Sequence, residues 1–329
     1  MKKRLNELIK TSLFKDLKSS FHGWIAWNQN IAPYTSYCLG GKVQGVIEPR
    51  SLTDTQRLMQ QLSQEKIPYL ILGGGSNVLF SDQGFQGIVI RLGKNFEWIK
   101  IEKNRMQIGA GTKLVKVMNQ ACKNKLGGFE FFAGIPGTIG GAVVGNAGAR
   151  EKWIGKVVSE LKIISGKGEL QQLDACQYHY GYRTSSLKYS GNLLVEVQLD
   201  AQFEEKLVIE KKIREYLEER KRKQPRNEKN AGSVFKNPPG DYAARLIELV
   251  GLKGMKHGGA QISPVHSNFI VNQGRAKSMD VVCLMRLIQK KVFKKFGVQL
   301  EPEIIPMGDW NWEDIKDIWW KNYDHSSTT

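Results

Sequence analysis

Apolar residues near the start of the chain form two short runs, and the stretch between them has helical spacing. The runs cover residues 43–47 and 69–72, and their β-branched and aromatic content is typical of strands. The intervening stretch begins at Ser51, a favourable N-cap with Asp54 three residues later, and its apolar stripe consists of Leu58, Met59 and Leu62. This pattern predicts a β-α-β unit whose second strand leads into a glycine-rich turn.

Strands and helices alternate over the rest of the chain. Apolar runs predict strands at 87–92, 98–102, 106–110, 157–164 and 193–199. Helical spacing predicts helices at 114–123, 204–229, 241–250 and 278–296. Gly251 and Gly297 follow the last two helices and are typical C-terminal stops.

Changes in composition divide the chain into four segments. Residues 1–30 are predicted to form a helical extension, because one face of that helix would carry Leu5, Leu8, Ile9 and Leu13. Residues 31–204 form a first domain, and residues 205–308 form a second one beyond the charged segment. Residues 309–329 form a tryptophan-rich tail, which is expected to pack onto the preceding domain rather than onto a membrane or a partner.

The net charge of +17 raises the question of nucleic-acid binding. The most charged segment, 204–229, holds ten basic and seven acidic residues, so no strongly basic patch is formed and a nucleic-acid partner is not expected.

Two long uncharged stretches, 19–41 and 131–149, are interrupted by proline and by polar residues or glycines, which argues against an integral membrane protein. The four cysteines lie far apart, so neither a metal site nor a disulfide framework is predicted. Without a secretory signal, a cytoplasmic location is expected.

Two glycine-rich segments carry the first chemical signal. Gly73-Gly74-Gly75-Ser76-Asn77 follows a predicted strand, and glycines there allow backbone N–H groups to point into one concavity, as a pyrophosphate requires. The second segment, 134–149, is rich in small residues that let a backbone or a flat ligand approach closely. Tight turns and close packing are the alternatives for each segment alone. Together the two segments indicate a large cofactor with a pyrophosphate and a planar ring.

Several long motifs follow one another along the chain. The first are YTSY at 34–37, LGGGSNVL at 72–79 and GIPGTIGGAVVGNAGA at 134–149. The later ones are AGSVFKNP at 231–238 and GGAQIS at 258–263, followed by Glu301-Pro302-Glu303. In this order the motifs resemble the family of UDP-N-acetylenolpyruvoylglucosamine reductases, in its shorter second class, over roughly residues 30 to 308.

The resemblance implies an α+β fold: a two-subdomain FAD-binding unit of the vanillyl-alcohol-oxidase (PCMH) type, followed by a C-terminal α/β substrate domain. It implies FAD and NADPH as cofactors and UDP-N-acetylglucosamine enolpyruvate as substrate. The implied reaction passes a hydride from NADPH through flavin N5 to C3 of the enolpyruvyl group, yielding UDP-N-acetylmuramate for peptidoglycan synthesis. Two rival classes are another FAD oxidoreductase of the same cofactor fold and a basic binding protein without turnover.

Three residues match the catalytic positions of the family. Arg183 is expected to hold the substrate carboxylate, because a guanidinium fork matches two carboxylate oxygens. Ser233 matches the serine that protonates C2, and Glu303 matches the acid that assists the developing carboxylate charge. Glu301 would share a face with Glu303 on a regular strand, so only the family motif favours Glu303.

The remaining site residues also follow from the resemblance. Those expected to contact the cofactor are Gly73, Gly74, Gly75, Ser76, Asn77, Gly134, Pro136, Gly137, Thr138, Gly140, Gly141 and Asn146. Those expected to contact the substrate, besides Arg183, are Tyr182, Lys236 and Asn237. His266 is interpreted as a structural histidine. The chain departs from the family pattern at Ile305, where many relatives carry a basic residue, and at Cys38.

Overall fold

A computed structural model describes residues 21–319 of the chain. The α-helices in this range are α1 Leu52–Gln64, α2 Leu114–Lys123, α3 Ile139–Val144, α4 Lys206–Lys223, α5 Ala243–Leu249 and α6 Ser278–Phe296. The strands up to the middle of the chain are β1 Trp24–Asn30, β2 Lys42–Glu48, β3 Tyr69–Ile71, β4 Val78–Phe80, β5 Phe85–Ile90, β6 Ile99–Glu102, β7 Arg105–Gly109, β8 Leu126–Gly127, β9 Gly148–Ala149 and β10 Lys152–Trp153. The later strands are β11 Val158–Ile164, β12 Leu170–Asp174, β13 Tyr180–Gly181, β14 Thr184–Ser185, β15 Leu193–Asp200, β16 Gln202–Phe203, β17 Lys256–His257, β18 Ala260–Ile262, β19 Ile270–Asn272 and β20 Ile305–Met307.

The first subdomain contains the predicted β-α-β unit. Its sheet has the order β1-β2-β5-β3, in which β5 lies between β2 and β3 and runs parallel to both. The Ser51 hydroxyl caps α1 by accepting a hydrogen bond from the Asp54 backbone N–H at 3.0 Å. The predicted stripe of α1 is fully buried against this sheet (Leu58, Met59 and Leu62). The β-α-β prediction is therefore confirmed.

The helical extension predicted for residues 1–30 is wrong at its C-terminal end. Residues 24–30 form strand β1, which pairs antiparallel with β2 at the edge of the first sheet. This segment contains Trp24, Ile25 and Trp27, whose side chains favour a half-buried pleated surface, and the neighbouring strand satisfies its backbone. The positions that suggested a helix, Leu5 to Leu13, lie outside the described residues.

The second subdomain is built on a five-stranded antiparallel sheet with the order β12-β11-β15-β7-β6. Its core also contains Tyr216 of α4, and Ile213 of the same helix packs against it. The charged helix thus buries its apolar face in the second subdomain, and the domain boundary at 204/205 stays a prediction. Helix periodicity identified the buried stripe but did not identify the domain that covers it.

The C-terminal domain combines the antiparallel sheet β17-β18-β19 with α5 and α6. Helix α6 ends at Gly297, whose φ of +67° is the left-handed conformation of a C-terminal stop. The described part of the tryptophan-rich tail packs back onto this domain. Trp319 is buried, and its indole N–H donates to the Ile304 carbonyl at 3.0 Å. Residues 320–329 of the tail lie outside the described range.

Strand β20 joins the C-terminal domain to the first subdomain, because it pairs parallel with β4. Just beyond β20, Asp309 accepts hydrogen bonds from the Ser81 hydroxyl and from the Gln86 backbone N–H. The expected α+β fold, with two subdomains followed by a C-terminal domain, is confirmed. Within residues 21–319, no helix is long and apolar enough to cross a membrane.

Candidate functional site

A cleft of about 1780 Å³ lies where the two subdomains meet the C-terminal domain. It exceeds the roughly 300–1,000 Å³ of pockets that hold one small ligand, so it has room for a dinucleotide and a second substrate. Its wall includes both glycine-rich segments together with Arg183, Ser233 and Glu303. The fold therefore brings together residues that are up to 230 positions apart in the sequence.

The two glycine-rich segments approach each other backbone to backbone. A Cβ atom added to Gly74 would lie 2.7 Å from the Gly137 Cα atom, a separation that real Cβ atoms do not adopt. The Ser76 hydroxyl bridges the segments by donating to the Pro136 carbonyl at 3.2 Å. The hydroxyl of Thr138 caps α3 by accepting from the Gly141 N–H. Peptide groups rather than bulky side chains thus form this part of the wall, as a pyrophosphate and a flat ring require.

Nearly all residues that were expected to contact the cofactor line this cleft. They are Gly73, Gly74, Gly75, Ser76, Asn77, Gly134, Pro136, Gly137, Thr138, Gly140 and Gly141. The site therefore fits FAD in its shape and in its backbone donors, while the individual contacts remain predictions.

Asn146, the remaining residue expected to contact the cofactor, is not among the residues that line the cleft. Its side-chain amide donates to the Gly181 carbonyl at 2.7 Å and accepts from the Gly155 N–H at 3.1 Å, and the residue is buried outside the cleft wall. The cofactor contact of Asn146 stays a prediction. Its amide holds the β13–β14 hairpin against the second glycine-rich segment.

Arg183 lies in the two-residue turn of that hairpin, with a φ of +59° in the left-handed region that non-glycine residues rarely adopt. Its guanidinium donates through Nη1 to the Gly148 carbonyl at 2.9 Å, and its Nε lies 2.9 Å from Glu303 Oε1. The hairpin is anchored further by the Ser185 hydroxyl, which donates to the Val144 carbonyl at 2.8 Å. A strained backbone and three anchors together position the guanidinium in the cleft.

Glu303 faces Arg183 from the segment that precedes β20. Burial raises the pKa of its carboxyl above the usual range, although the positive charges of Arg183, Lys236 and Lys188 act in the opposite direction. Its backbone N–H donates to the Val234 carbonyl, and its own carbonyl accepts from the Asn77 amide at 3.2 Å. The first glycine-rich segment therefore helps to hold the acid.

Glu301 points to a different partner, Lys236, whose Nζ lies 2.6 Å from its Oε1. The segment around both acids is irregular rather than a regular strand, so side-chain alternation does not apply to it. Of the two carboxyl groups, Glu303 is the one in the cleft wall.

Ser233 lies in the loop that precedes Val234 and lines the cleft. The hydroxyl makes no hydrogen bond with any residue in the described range 21–319. The loop itself is fixed by the buried amide of Asn268, which accepts from the Phe235 N–H at 2.9 Å and donates to the Phe235 carbonyl at 2.8 Å. Ser233 thus has a rigid backbone and a hydroxyl that is available to a ligand.

The other predicted substrate residues do not line the cleft. Tyr182 is 57% exposed beside Arg183, Lys236 pairs with Glu301, and the Asn237 side chain accepts from the Ala243 N–H at the start of α5. Their substrate contacts remain predictions. His266 packs edge-on against Phe269 with ring centroids 4.8 Å apart, and burial lowers its pKa, as a structural histidine would show.

Four cations in the cleft wall were missed; Lys66 and Lys167 are exposed, whereas Arg220 and Lys188 are partly buried. Arg220 on α4 lies against Gly134, where an added Cβ would be 2.7 Å from Arg220 Cδ, and burial lowers its pKa. It belongs to a run of four basic residues, so the sequence carries no signal that separates it from its exposed neighbours. Lys188 also lines the cleft, five residues after Arg183. Its position in the matched Arg183 segment was an available signal.

Comparison with known proteins shows the family of this chain. Residues 224–307 match the family model described as the C-terminal domain of UDP-N-acetylenolpyruvoylglucosamine reductase, and residues 43–174 match one described as an FAD binding domain. The UDP-N-acetylenolpyruvoylglucosamine reductase of Desulforamulus reducens is 38% identical over 302 residues, which are 92% of this chain and 100% of that relative. Reductase 1 of Bacillus cereus is 35% identical over 309 residues, with coverages of 94% and 100%.

The fold of this chain is also similar to a solved structure. The crystal structure of UDP-N-acetylenolpyruvylglucosamine reductase (MurB) from Thermus caldophilus superposes with a TM-score of 0.76 at 33% sequence identity. The superposition covers 87% of this chain and 99% of that one.

Proposed function

Because this chain belongs to the UDP-N-acetylenolpyruvoylglucosamine reductase family and is an FAD-dependent oxidoreductase, we propose that it reduces UDP-N-acetylglucosamine enolpyruvate to UDP-N-acetylmuramate with NADPH. The observation that carries the proposal is the convergence of Arg183, Ser233 and Glu303 on one cleft beside the two glycine-rich segments. The product is a precursor of peptidoglycan, and we expect the reaction to take place in the cytoplasm.

FAD, when bound, supplies the hydride-transfer chemistry that no amino-acid side chain provides. The protein is left with three tasks: orienting the enolpyruvyl group, stabilising negative charge on it and delivering one proton. Hydride addition at C3 and proton addition at C2 together saturate the carbon–carbon double bond, so both atoms and electrons are balanced.

Arg183 performs the first two tasks. Its guanidinium presents several N–H donors, of which only one is committed to the Gly148 carbonyl. The remaining donors match the two oxygens of the enolpyruvyl carboxylate, on which negative charge grows as C3 accepts hydride. Glu303, whose pKa is raised by burial, is suited to stay protonated and to donate a hydrogen bond to the same carboxylate.

Ser233 performs the third task by donating its hydroxyl proton to C2. A serine hydroxyl is a weak acid, so this transfer requires a strongly basic carbon in front of it, which hydride addition creates. The loop fixed by Asn268 supports this role, because Ser233 lines the cleft and its hydroxyl has no competing hydrogen-bond partner among residues 21–319.

An anaerobic two-step experiment tests the proposal. The FAD-loaded protein is reduced with NADPH, UDP-N-acetylglucosamine enolpyruvate is added, and the flavin absorbance is followed in wild type and in Ser233→Ala. We expect rapid reoxidation in wild type and a rate lower by at least about 100-fold in the variant, in the range of general acid catalysis. Reduction by NADPH should be unchanged in the variant, which provides the internal control. Wild-type flavin that stays reduced with this substrate but reacts with air would refute the proposal.

A further inference from the structure

Three cations and one carboxyl group line the Arg183 side of the cleft: Arg183, Lys188, Arg220 and Glu303. Arg183 is paired with Glu303 at 2.9 Å, and Lys236 is paired with Glu301 at 2.6 Å outside the cleft wall. Lys188 has no ion-pair partner among residues 21–319. Positive charges therefore exceed negative ones in this part of the cleft.

Lys188 is placed to face a ligand. It lines the cleft together with Arg183 and Glu303, and its backbone N–H donates to the Ser185 carbonyl at 3.0 Å, which continues the anchored hairpin. Its ammonium group lies 5.2 Å from the ring centre of the adjacent Tyr189. The hairpin that orients Arg183 therefore also sets the position of the lysine.

The surroundings of Lys188 disfavour its charge in the absence of a ligand. Burial and the neighbouring charge of Lys236 lower its pKa to about 8, although Glu303 and Glu301 act in the opposite direction. A largely buried lysine without an ion pair destabilises a protein unless a ligand compensates for the lost hydration. A site of this kind favours an anion, and binding of the anion would restore the charged state of the amine.

We propose that Lys188 binds the carboxylate of the enolpyruvyl substrate together with Arg183, and so lets the enzyme select this substrate over UDP-N-acetylglucosamine. The inference rests on the proposed function. The carboxylate is the ligand group that Arg183 is expected to hold, and Lys188 shares its hairpin segment and its electrostatic contact with Glu303. The diphosphate of the same substrate is the competing assignment, and the experiment separates the two.

The test compares two ligands that differ in the enolpyruvyl group. Calorimetric titration of the oxidised, FAD-loaded enzyme with UDP-N-acetylglucosamine enolpyruvate and with UDP-N-acetylglucosamine gives the preference for the carboxylate. We expect Lys188→Met to weaken binding of the enolpyruvyl compound by about 10- to 100-fold, the range for a hydrogen bond to a charged group, and to leave UDP-N-acetylglucosamine unaffected. Lys188→Arg should keep most of the preference. Lys290→Met, at an exposed position of α6, controls for the change in net charge.

Each outcome decides between the alternatives. Equal losses for both ligands in Lys188→Met would assign the lysine to the diphosphate and overturn the proposal, and unchanged affinities would remove it from binding altogether. A wild-type enzyme that does not bind the enolpyruvyl compound would instead contradict the proposed function.

A measurement on wild type keeps the inference testable if Lys188→Met does not fold. The preference of wild type for the enolpyruvyl compound should fall between pH 7 and pH 9, because the amine of Lys188 loses its proton in this range. Lys188→Arg should abolish that fall, since a guanidinium stays charged, whereas a change caused by Glu303, Glu301 or Lys236 would persist in the variant. A preference that is independent of pH in wild type would overturn the proposal.

Discussion

Replacing Asn268 tests whether the rigidity of the Ser233 loop matters for the reaction. The Asn268 amide is 3% exposed and makes two hydrogen bonds to the backbone of Phe235, two residues after Ser233. Asn268→Leu keeps the size of the side chain but leaves a buried N–H and a buried C=O without their partner. Each such group costs about 1–3 kcal/mol, so we expect the free energy of unfolding to fall by about 2–6 kcal/mol.

The same change should also slow the substrate step, the half-reaction in which the enolpyruvyl compound is reduced. If the freed loop shifts the Ser233 hydroxyl by about 1 Å, the proton transfer to C2 should slow by about 100-fold. Reduction of the flavin by NADPH should stay the same, because this half-reaction does not use Ser233. Rapid-mixing absorbance measurements under anaerobic conditions separate the two half-reactions, and urea titration gives the loss of stability.

Asn272→Leu provides the matched control. Asn272 is also a buried amide; its side chain donates to the Tyr37 carbonyl and accepts from the Gly274 and Ala276 N–H groups, and so makes no bond to Ser233 or Phe235. Its replacement should cost a similar amount of stability and leave the substrate step of the folded enzyme intact. The reasoning is refuted if both variants slow the substrate step equally, or if Asn268→Leu loses stability but keeps the wild-type rate.

Three further predictions follow from other parts of the structure. Burial raises the pKa of Glu303, so at saturating substrate the substrate step should slow as the pH rises through that raised pKa and the acid loses its proton. Glu303→Gln cannot ionise and should lack this decline. A decline that persists in the variant would contradict the role of Glu303 as a protonated donor. Trp319→Ala should lower the free energy of unfolding by about 3–5 kcal/mol in urea titration, because a buried ring and its bond to Ile304 are lost; Trp319→Phe should lose less, and equal losses would show that packing is not the cause. Gly74→Ala should reduce the flavin content of the purified protein while circular dichroism stays unchanged, because the new methyl group would lie 2.7 Å from Gly137 Cα; full flavin content would show that the two segments separate without cost.

Regular elements and the cofactor segments were predictable from the sequence. Helices α2 and α6 begin and end where the periodicity predicted, because a stripe of apolar residues repeats over several turns. The two glycine-rich segments were visible because glycine accumulates where backbones approach closely, as Gly74 and Gly137 do. Arg183, Ser233 and Glu303 came from the family motifs rather than from any periodic signal.

Long-range partners were decided only by the tertiary structure. Periodicity shows that one face of α4 is buried, but only the structure shows that this face packs against the second subdomain. The motif that contains Asn146 did not show that its amide holds the backbone of Gly181. The surplus charge of Lys188 became apparent only when Lys236 and Glu303 were found beside it.

The physical reason is the range of the interactions. Local backbone preferences and the burial of one face act within a few residues and leave a pattern in the sequence itself. Hydrogen bonds and charge pairs in the cleft join groups that are tens to hundreds of residues apart, and a single polar residue looks the same whether its partner is water or a buried carbonyl. The sequence by itself therefore determined the elements and the chemical class of the site, whereas the tertiary structure decided which polar side chains face the ligands and which support them.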